Sequence, residues 1–311
     1  MELSEFELIR RLGRKIPPRL RLPGSLTDDA GALKTVVGHA VMSADVVVDG
    51  VDFRSTAGNW EQIGRKALAV NLSDLAAMGA APVSFTCALG IPKSFRARSV
   101  ERVYHGMMRL ARQQGIRFAK GDISRSATFF IAITVLGSTG EKPPIARSGA
   151  KPGDWLAVSG SLGGSFKAKQ FEFMPRIREG RFLLEKFRPH ALMDISDGLV
   201  QDLGHMLRAS GAGCRLQLEA VPVSAAARKA HPGQIRAQLQ SALSDGEDFE
   251  LLLAVAPAQK MGLERAWKRR FPGVKLSWIG RFVSGKPQVK FYDHEKEIPG
   301  GRFRQAGFSH F

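Results

Sequence analysis

The aspartates are the residues best suited to chemistry in this 311-residue chain, and they gather in compact places although the net charge is +17. They are Asp28-Asp29, Asp45, Asp74, Asp122 and the pair Asp194/Asp197, followed by Asp245, Glu247 and Asp248. Each stands at or just after the end of an apolar run, where a strand or helix meets a loop. Rigid elements then hold the carboxylates while loops leave room for a ligand. Asp45 interrupts the apolar run from Val41 to Val48. A carboxylate there is costly to bury unless it is paired or metal-bound; the alternative is an edge-strand acid facing water. Asn71 and Asp74 stand three apart in the nearly apolar stretch from Ile63 to Ala80, so they share one helix face. A helix this apolar is buried on most sides, which makes the pair either a satisfied internal hydrogen-bond site or a shelf for a ligand.

The segment Asp194-Ile195-Ser196-Asp197-Gly198 precedes a predicted helix. Ser196 or Asp197 would serve as its cap, but capping uses one side chain, and a helix start also offers N–H groups to phosphate. Phosphoryl transfer gives these acids a common purpose. Mg²⁺ takes about six oxygens, commonly one or two carboxylates with phosphate and water completing the shell. Aspartates converging on a triphosphate would repel one another and the substrate without metal between them, so convergence implies two or more Mg²⁺ ions.

The elements that must position these acids are read from periodicity. An amphipathic helix carries Phe6, Ile9 and Leu12, with Ser4 and Glu7 as its capping box. Strands are predicted at 40–48, 83–91, 116–119 and 129–136, and helices at 60–78 and 99–114. Prolines and glycines crowd residues 140–153, and a domain boundary is placed there. The domains are expected at 1–142 and 143–311. Beyond the boundary, strands are predicted at 155–159, 214–218, 249–255 and 276–282, with a helix over 198–209 ended by Gly211. Alternating helix and strand make the class α/β, or mixed α+β.

Composition excludes several classes. At 44% hydrophobic and 24% charged, the chain reads as an ordinary globular protein. No run approaches the roughly 18 to 20 apolar residues of a membrane span. Acids near Met1 stand where a secretory signal carries positive charge, and two distant cysteines, Cys87 and Cys214, suggest neither disulfides nor a metal pair. The cytoplasm is the expected compartment. Basic residues cluster in 10–21, 93–102 and 268–270, but these runs hold a single aromatic, Phe95, and not the interleaved set of a stacking platform. Nucleic acid is therefore not expected as a partner, and the basicity suits nucleotide phosphates.

The motifs resemble those of thiamine-monophosphate kinases, a family within the aminoimidazole ribonucleotide synthetase-like superfamily. The resemblance runs nearly end to end. It covers Asp28-Asp29-Ala30, Ser43-Ala44-Asp45, the block from Lys66 to Pro82, Gly121-Asp122 and Arg147 to Asp154, then Asp194 to Leu199, Gly246 to Leu251 and His310-Phe311. It implies a fold with an N-terminal domain whose strands pair across a homodimer, and a C-terminal α/β domain, with ATP between them. It also implies in-line transfer of the γ-phosphoryl group of ATP to thiamine monophosphate, with several Mg²⁺ ions and no dedicated catalytic side chain. Residue by residue, Asp29, Ser43, Ala44 (through its carbonyl), Asp45, Asp74, Asp122, Asp194 and Asp197 match metal ligands. Gly121, Asp122, Arg147, Ser196 and Tyr104 match nucleotide contacts, and Glu247 a substrate contact.

Four departures from the pattern stand out. Asp52 replaces a histidine that meets substrate, and a carboxylate there would repel a phosphate. Lys120-Gly121-Asp122 stands for Gly-Gly-Asp, Asp245-Gly246-Glu247-Asp248 for Gly-Gly-Glu-Asp, and Gln305 for an aromatic substrate contact. Selenophosphate synthetase would want a cysteine ahead of Cys87, and the hydrogenase maturation protein a terminal cysteine where Phe311 stands. A shifted acceptor, or a nucleotide-binding relative with weak turnover, is the alternative.

Overall fold

The computed structural model describes residues 17, 38–55, 58–165 and 169–299. The expected N-terminal helix, Asp29 and Gln305 lie outside the described residues. The chain divides into two compact units, Met1–Leu75 with Ala80–Pro143 and Ala76–Gly79 with Pro144–Phe311.

The first unit holds a four-stranded sheet in the order β1-β4-β2-β3, built from β1 (His39–Val48), β2 (Ala81–Ile91), β3 (Arg117–Arg125) and β4 (Phe130–Gly140). Strand β4 runs antiparallel to both of its neighbours, while β2 and β3 are parallel and joined through a helix. The sheet supports α1 (Trp60–Ala77) and α2 (Ala97–Gln114). Helix α1 is buried on nearly all sides: Ile63, Leu68, Ala69, Leu72 and Leu75 are fully buried. Each such leucine contributes about 1.5–3 kcal/mol by leaving water. The two helices approach backbone to backbone at glycines, since a Cβ on Gly64 would strike the Val103 carbonyl and one on Gly106 the Glu61 carbonyl. Phe53, Trp60, Phe95 and Phe129 form an aromatic cluster beside the start of α1.

The second unit carries a seven-stranded mixed sheet in the order β11-β10-β7-β9-β5-β8-β6. Its strands are β5 (Trp155–Ser159), β6 (Ala191–Asp194), β7 (Gly213–Gln217), β8 (Leu251–Val255), β9 (Leu276–Val283), β10 (Val289–Asp293) and β11 (Lys296–Ile298). Its helices are α3 (Ile177–Phe182), which runs on into one π turn, α4 (Leu199–Ser210), α5 (Ala225–Ala230), α6 (Ile235–Ser244) and α7 (Lys260–Arg270). On one sheet face Leu156, Val158, Cys214, Leu216 and Phe291 pack with Leu203, Met206 and Leu207 of α4.

Among the described residues the predicted elements are present, with ends shifted by a few residues and β3 extended to Arg125. The mixed α/β class stands. Periodicity missed β6, β10 and β11 and the helices α3, α5, α6 and α7; β6 is buried throughout, and a strand covered on both faces shows no alternation. Among the described residues no helix is long and apolar enough to cross a membrane.

Candidate active site

In the first unit, strand alternation points Val41, Ser43, Asp45 and Val47 to the inner face, towards α1. There the Ser43 hydroxyl donates to Asp74 Oδ2, and the Asp45 N–H donates to Asn71 Oδ1 at 3.1 Å. Asn71 is itself held, its amide donating to the Ala67 carbonyl at 3.0 Å. The shared helix face expected for Asn71 and Asp74 is thus the face that meets β1. Burial, and then the neighbouring Asp74 carboxylate, push the Asp45 carboxyl up to about 7, and Asp52 adds to the same effect. Asp45 and Asp74 also share a hydrogen bond. In the absence of a cation, two adjacent carboxylates are held together by a proton.

The juxtaposed carboxylates and the Ser43 hydroxyl mark where a cation fits. Among the described residues, no three His, Cys, Asp or Glu side chains group closely enough to hold a metal alone. Two carboxylates with a hydroxyl beside them match the donor set of Mg²⁺, which keeps water and phosphate oxygens in its shell.

Asp52 closes the turn after β1, accepting the Val48 N–H at 2.8 Å on Oδ2, while its own carbonyl accepts Lys66 Nζ at 2.6 Å. Lys66 is only 1% exposed. Motif spacing does not single out this lysine, although a charge inside so apolar a helix is a signal that something must pair with it.

Asp122 is placed differently. Gly121 faces the inner side, where a Cβ would stand 2.8 Å from the Tyr104 hydroxyl, and Tyr104 itself is buried. Tyr104 therefore supports Gly121 from beneath. Asp122 is the next residue, exposed on the outer face and aligned with Ala88. Three strand spacings of about 4.8 Å separate β3 from β1, so Asp45 and Asp122 of one chain lie on opposite faces and about 14 Å apart. Ala44 shares the outer face with exposed Met42 and Val46.

The second unit gathers the remaining acids. Buried Asp194 ends β6, and the loop over residues 195–198 leads into α4. Gly198 takes φ 122° and ψ 148°, where side-chain-bearing residues are strained, and a Cβ there would meet the Ser244 backbone at 3.1 Å. The N–H groups of Asp197 and Gly198 donate to Asp202 Oδ2 at 3.0 and 3.1 Å. Burial pushes the Asp202 carboxyl up to about 7, with Asp197 adding to it. Asp202 is a residue that motif spacing misses, although an acid in a first helical turn is a recognised signal. Asp197 Oδ2 is left to accept the Gln201 amide at 3.0 Å.

Glu247 reaches this loop from about fifty residues away. Its N–H donates to the Ser196 carbonyl at 2.6 Å, and the Phe249 N–H to Ile195 at 2.8 Å. Glu247 and Phe249 hold φ of 55° and 50°. Arg147 comes alongside because the Leu192 N–H donates to the Ala146 carbonyl at 2.9 Å. Arg147 and Asp197 both act on His205, whose pKa is lowered by burial first and then by Arg208 and Arg147. Asp194, Ser196, Asp197, Glu247 and Arg147 thus belong to one neighbourhood.

The other acids of that stretch are structural. Asp248 accepts Gly163 N–H at 2.9 Å and the Ser165 hydroxyl, and burial pushes its carboxyl up to about 6. Glu250 takes a two-pronged contact from Arg176, 2.7 Å on each oxygen. The Gly163-Gly164 turn therefore spends its N–H groups on Asp248 and Asp245.

Comparison with known proteins bears on the family. Residues 27–139 match the family described as AIR synthase related protein, N-terminal domain, which sets the class. The thiamine-monophosphate kinase of Rhodopirellula baltica is 39% identical over 84% of this chain and 79% of its own length. The crystal structure of the Stenotrophomonas maltophilia K279a enzyme of that name superposes with a TM-score of 0.81 at 30% identity, covering 94% of this chain and 97% of that one. A structure of AaThiL complexed with AMPPCP and TMP gives 0.74 at 26% identity, covering 100% and 99%. This chain belongs to the thiamine-monophosphate kinase family.

Proposed function

We propose that this protein transfers the γ-phosphoryl group of ATP in line to thiamine monophosphate, giving thiamine diphosphate, with several Mg²⁺ ions. The observation that carries the reading is the Asp45–Asp74 pair, braced by Ser43 and Asn71 on two rigid elements. Bound Mg²⁺ would supply charge neutralisation between phosphate oxygens and these carboxylates. Asp29, Ser43, Ala44, Asp45, Asp74, Asp122, Asp194 and Asp197 are assigned to hold it. Arg147 offers a fork of donors to phosphate, and Gly121 and Ser196 lie against the nucleotide. Tyr104 acts through Gly121. The acceptor is already an anionic oxygen, so the chain has positioning to supply and little proton transfer.

On the substrate side are Glu247, Gln305 and Asp52. Because the Asp52 carboxylate is engaged by Val48 N–H, its charge is anchored in the turn. A changed acceptor is the second reading, and Asp52 is the reason for it.

The working form is a homodimer. Asp122 and Asp45 lie on opposite faces of the sheet, so a common metal–nucleotide complex would draw them from two copies. Among the described residues β1 ends the sheet, and that position with the exposure of Met42 and Val46, 69% and 53%, supports that assembly. Residues 1–142 and 143–311 are taken as its two domains. A cytoplasmic setting fits the free, buried Cys87 and Cys214.

The test is incubation with Mg-ATP and thiamine monophosphate, with thiamine diphosphate measured by chromatography. Product proportional to enzyme, lost with EDTA and lost in Asp74→Asn, is the expected result. Full activity in Asp74→Asn, or no product from a folded protein that binds Mg-ATP, would overturn it.

A further inference from the structure

A charge of +17 is more than one nucleotide site calls for, and the second unit shows where some of it is organised. The sheet face opposite α4 carries a cross-strand row. Lys290 on β10 aligns with Arg215 on β7, Arg215 with Arg281 on β9, and Arg281 with Trp155 on β5. Three cations therefore stand side by side on adjacent strands. Like charges so placed repel one another and are destabilising.

Aromatic rings hold them there. The Arg215 guanidinium lies 4.4 Å from the Tyr292 ring centroid and that of Arg281 4.2 Å from Trp155. Lys260, at the start of α7, puts Nζ 3.5 Å from the Trp155 centroid. Glu297 answers Lys290 at 3.5 Å and takes the Tyr292 hydroxyl at 2.9 Å. Glu297 acts on Arg215 as well, whereas among the described residues no ion pair engages Arg281 or Lys260. Arg215 and Lys290 are exposed, and Arg281 and Lys260 half-buried.

We propose that this row is a binding surface for single-stranded nucleic acid, running across the strands from Lys290 to Lys260. Three strand spacings make it about 14 Å long, which suits several phosphates in succession better than one. Guanidinium groups and aromatic rings set side by side supply the stacking and cation–π contacts that single-stranded bases use. A row across strands admits a single strand, whereas a duplex is read by an element that enters its groove. Linear motifs do not reveal this surface, because its aromatics and cations interleave across strands and not along the chain.

The experiment is fluorescence anisotropy of the full chain with a labelled oligouridine of about 12 nucleotides, between about 50 and 200 mM KCl. Binding is expected, weakening with salt. Arg215→Ala with Arg281→Ala should lower affinity about tenfold or more at the low-salt end. The double variant should also flatten the log–log salt slope by about 1.4, at about 0.7 for each phosphate no longer neutralised. Arg215→Lys with Arg281→Lys, which keeps the charge and removes the planes, should fall between. Thermal melting of each variant separates weakened binding from unfolding.

Arg228→Ala with Arg236→Ala removes equal charge from helical positions elsewhere in the unit and should change little. Equal losses in the two alanine doubles would show diffuse attraction and overturn the proposal. No oligonucleotide binding at low salt would overturn it in favour of an acidic protein partner. Inorganic polyphosphate competing as well per phosphate as oligouridine would also count against it.

Discussion

Asp45→Asn is expected to abolish turnover and, in EDTA, to stabilise the protein at pH 8. Asp45 titrates near 7 in the folded chain against an ordinary 3.8, chiefly from burial and then from Asp74. Below pH 4 both states carry the proton and its stabilising effect is fully present. Between pH 4 and 7 the native state keeps a proton that the unfolded chain has lost, so stability falls as pH rises. Above 7 the proton is gone and the two carboxylates repel. At about 1.4 kcal/mol for each tenfold change in proton affinity, the full effect is up to about 4 kcal/mol. Solvent reaching the pair and the proton it shares with Asp74 bring the expected gain to about 2 kcal/mol. An amide at position 45 still donates to Asp74 and still leaves the backbone N–H to Asn71. At roughly 2–4 °C per kcal/mol, the melting temperature should rise by about 4–8 °C. Differential scanning calorimetry at pH 5 and pH 8, with EDTA and with excess Mg²⁺, provides the assay. Wild type should gain from Mg²⁺ at pH 8 and Asp45→Asn should gain far less. A variant that melts at or below wild type at pH 8 in EDTA, yet gains equally from Mg²⁺, would refute the reasoning.

Other substitutions test the supporting structure. Asp52→Asn keeps an oxygen for the Val48 N–H and removes the charge. Its melting temperature should stay near wild type while KM for thiamine monophosphate falls; an unchanged KM would show that the anchored charge is not felt by substrate. Glu250→Gln breaks the two-pronged contact and leaves Arg176 in a buried site, so chemical denaturation should show a loss of about 3–5 kcal/mol. Gly198→Ala forces a side chain into a strained backbone and against Ser244, costing about 1–3 kcal/mol. Because the Asp194-to-Asp197 loop moves with it, kinase activity should fall by more than the melting temperature alone explains.

What the sequence determined by itself was local. Spacing placed Asn71 and Asp74 on one face of α1, Gly211 at the end of α4 and Asp45 within a strand, because helix and strand periods are properties of a few neighbouring residues. Motif resemblance reached the family for the same reason, since each motif is contiguous. The tertiary structure alone decided that Asp122 faces away from Asp45, because that depends on how β3 aligns with β2 and β2 with β4. It alone laid Glu247 on Ser196, and revealed Lys66 beneath Asp52 and Asp202 behind Asp197. The row from Lys290 to Trp155 has the same origin. Its members come from four strands scattered between residues 155 and 290, and only sheet order and register bring them level. Register is set by long-range pairing, and a one-residue slip would turn each strand's side chains to the other face.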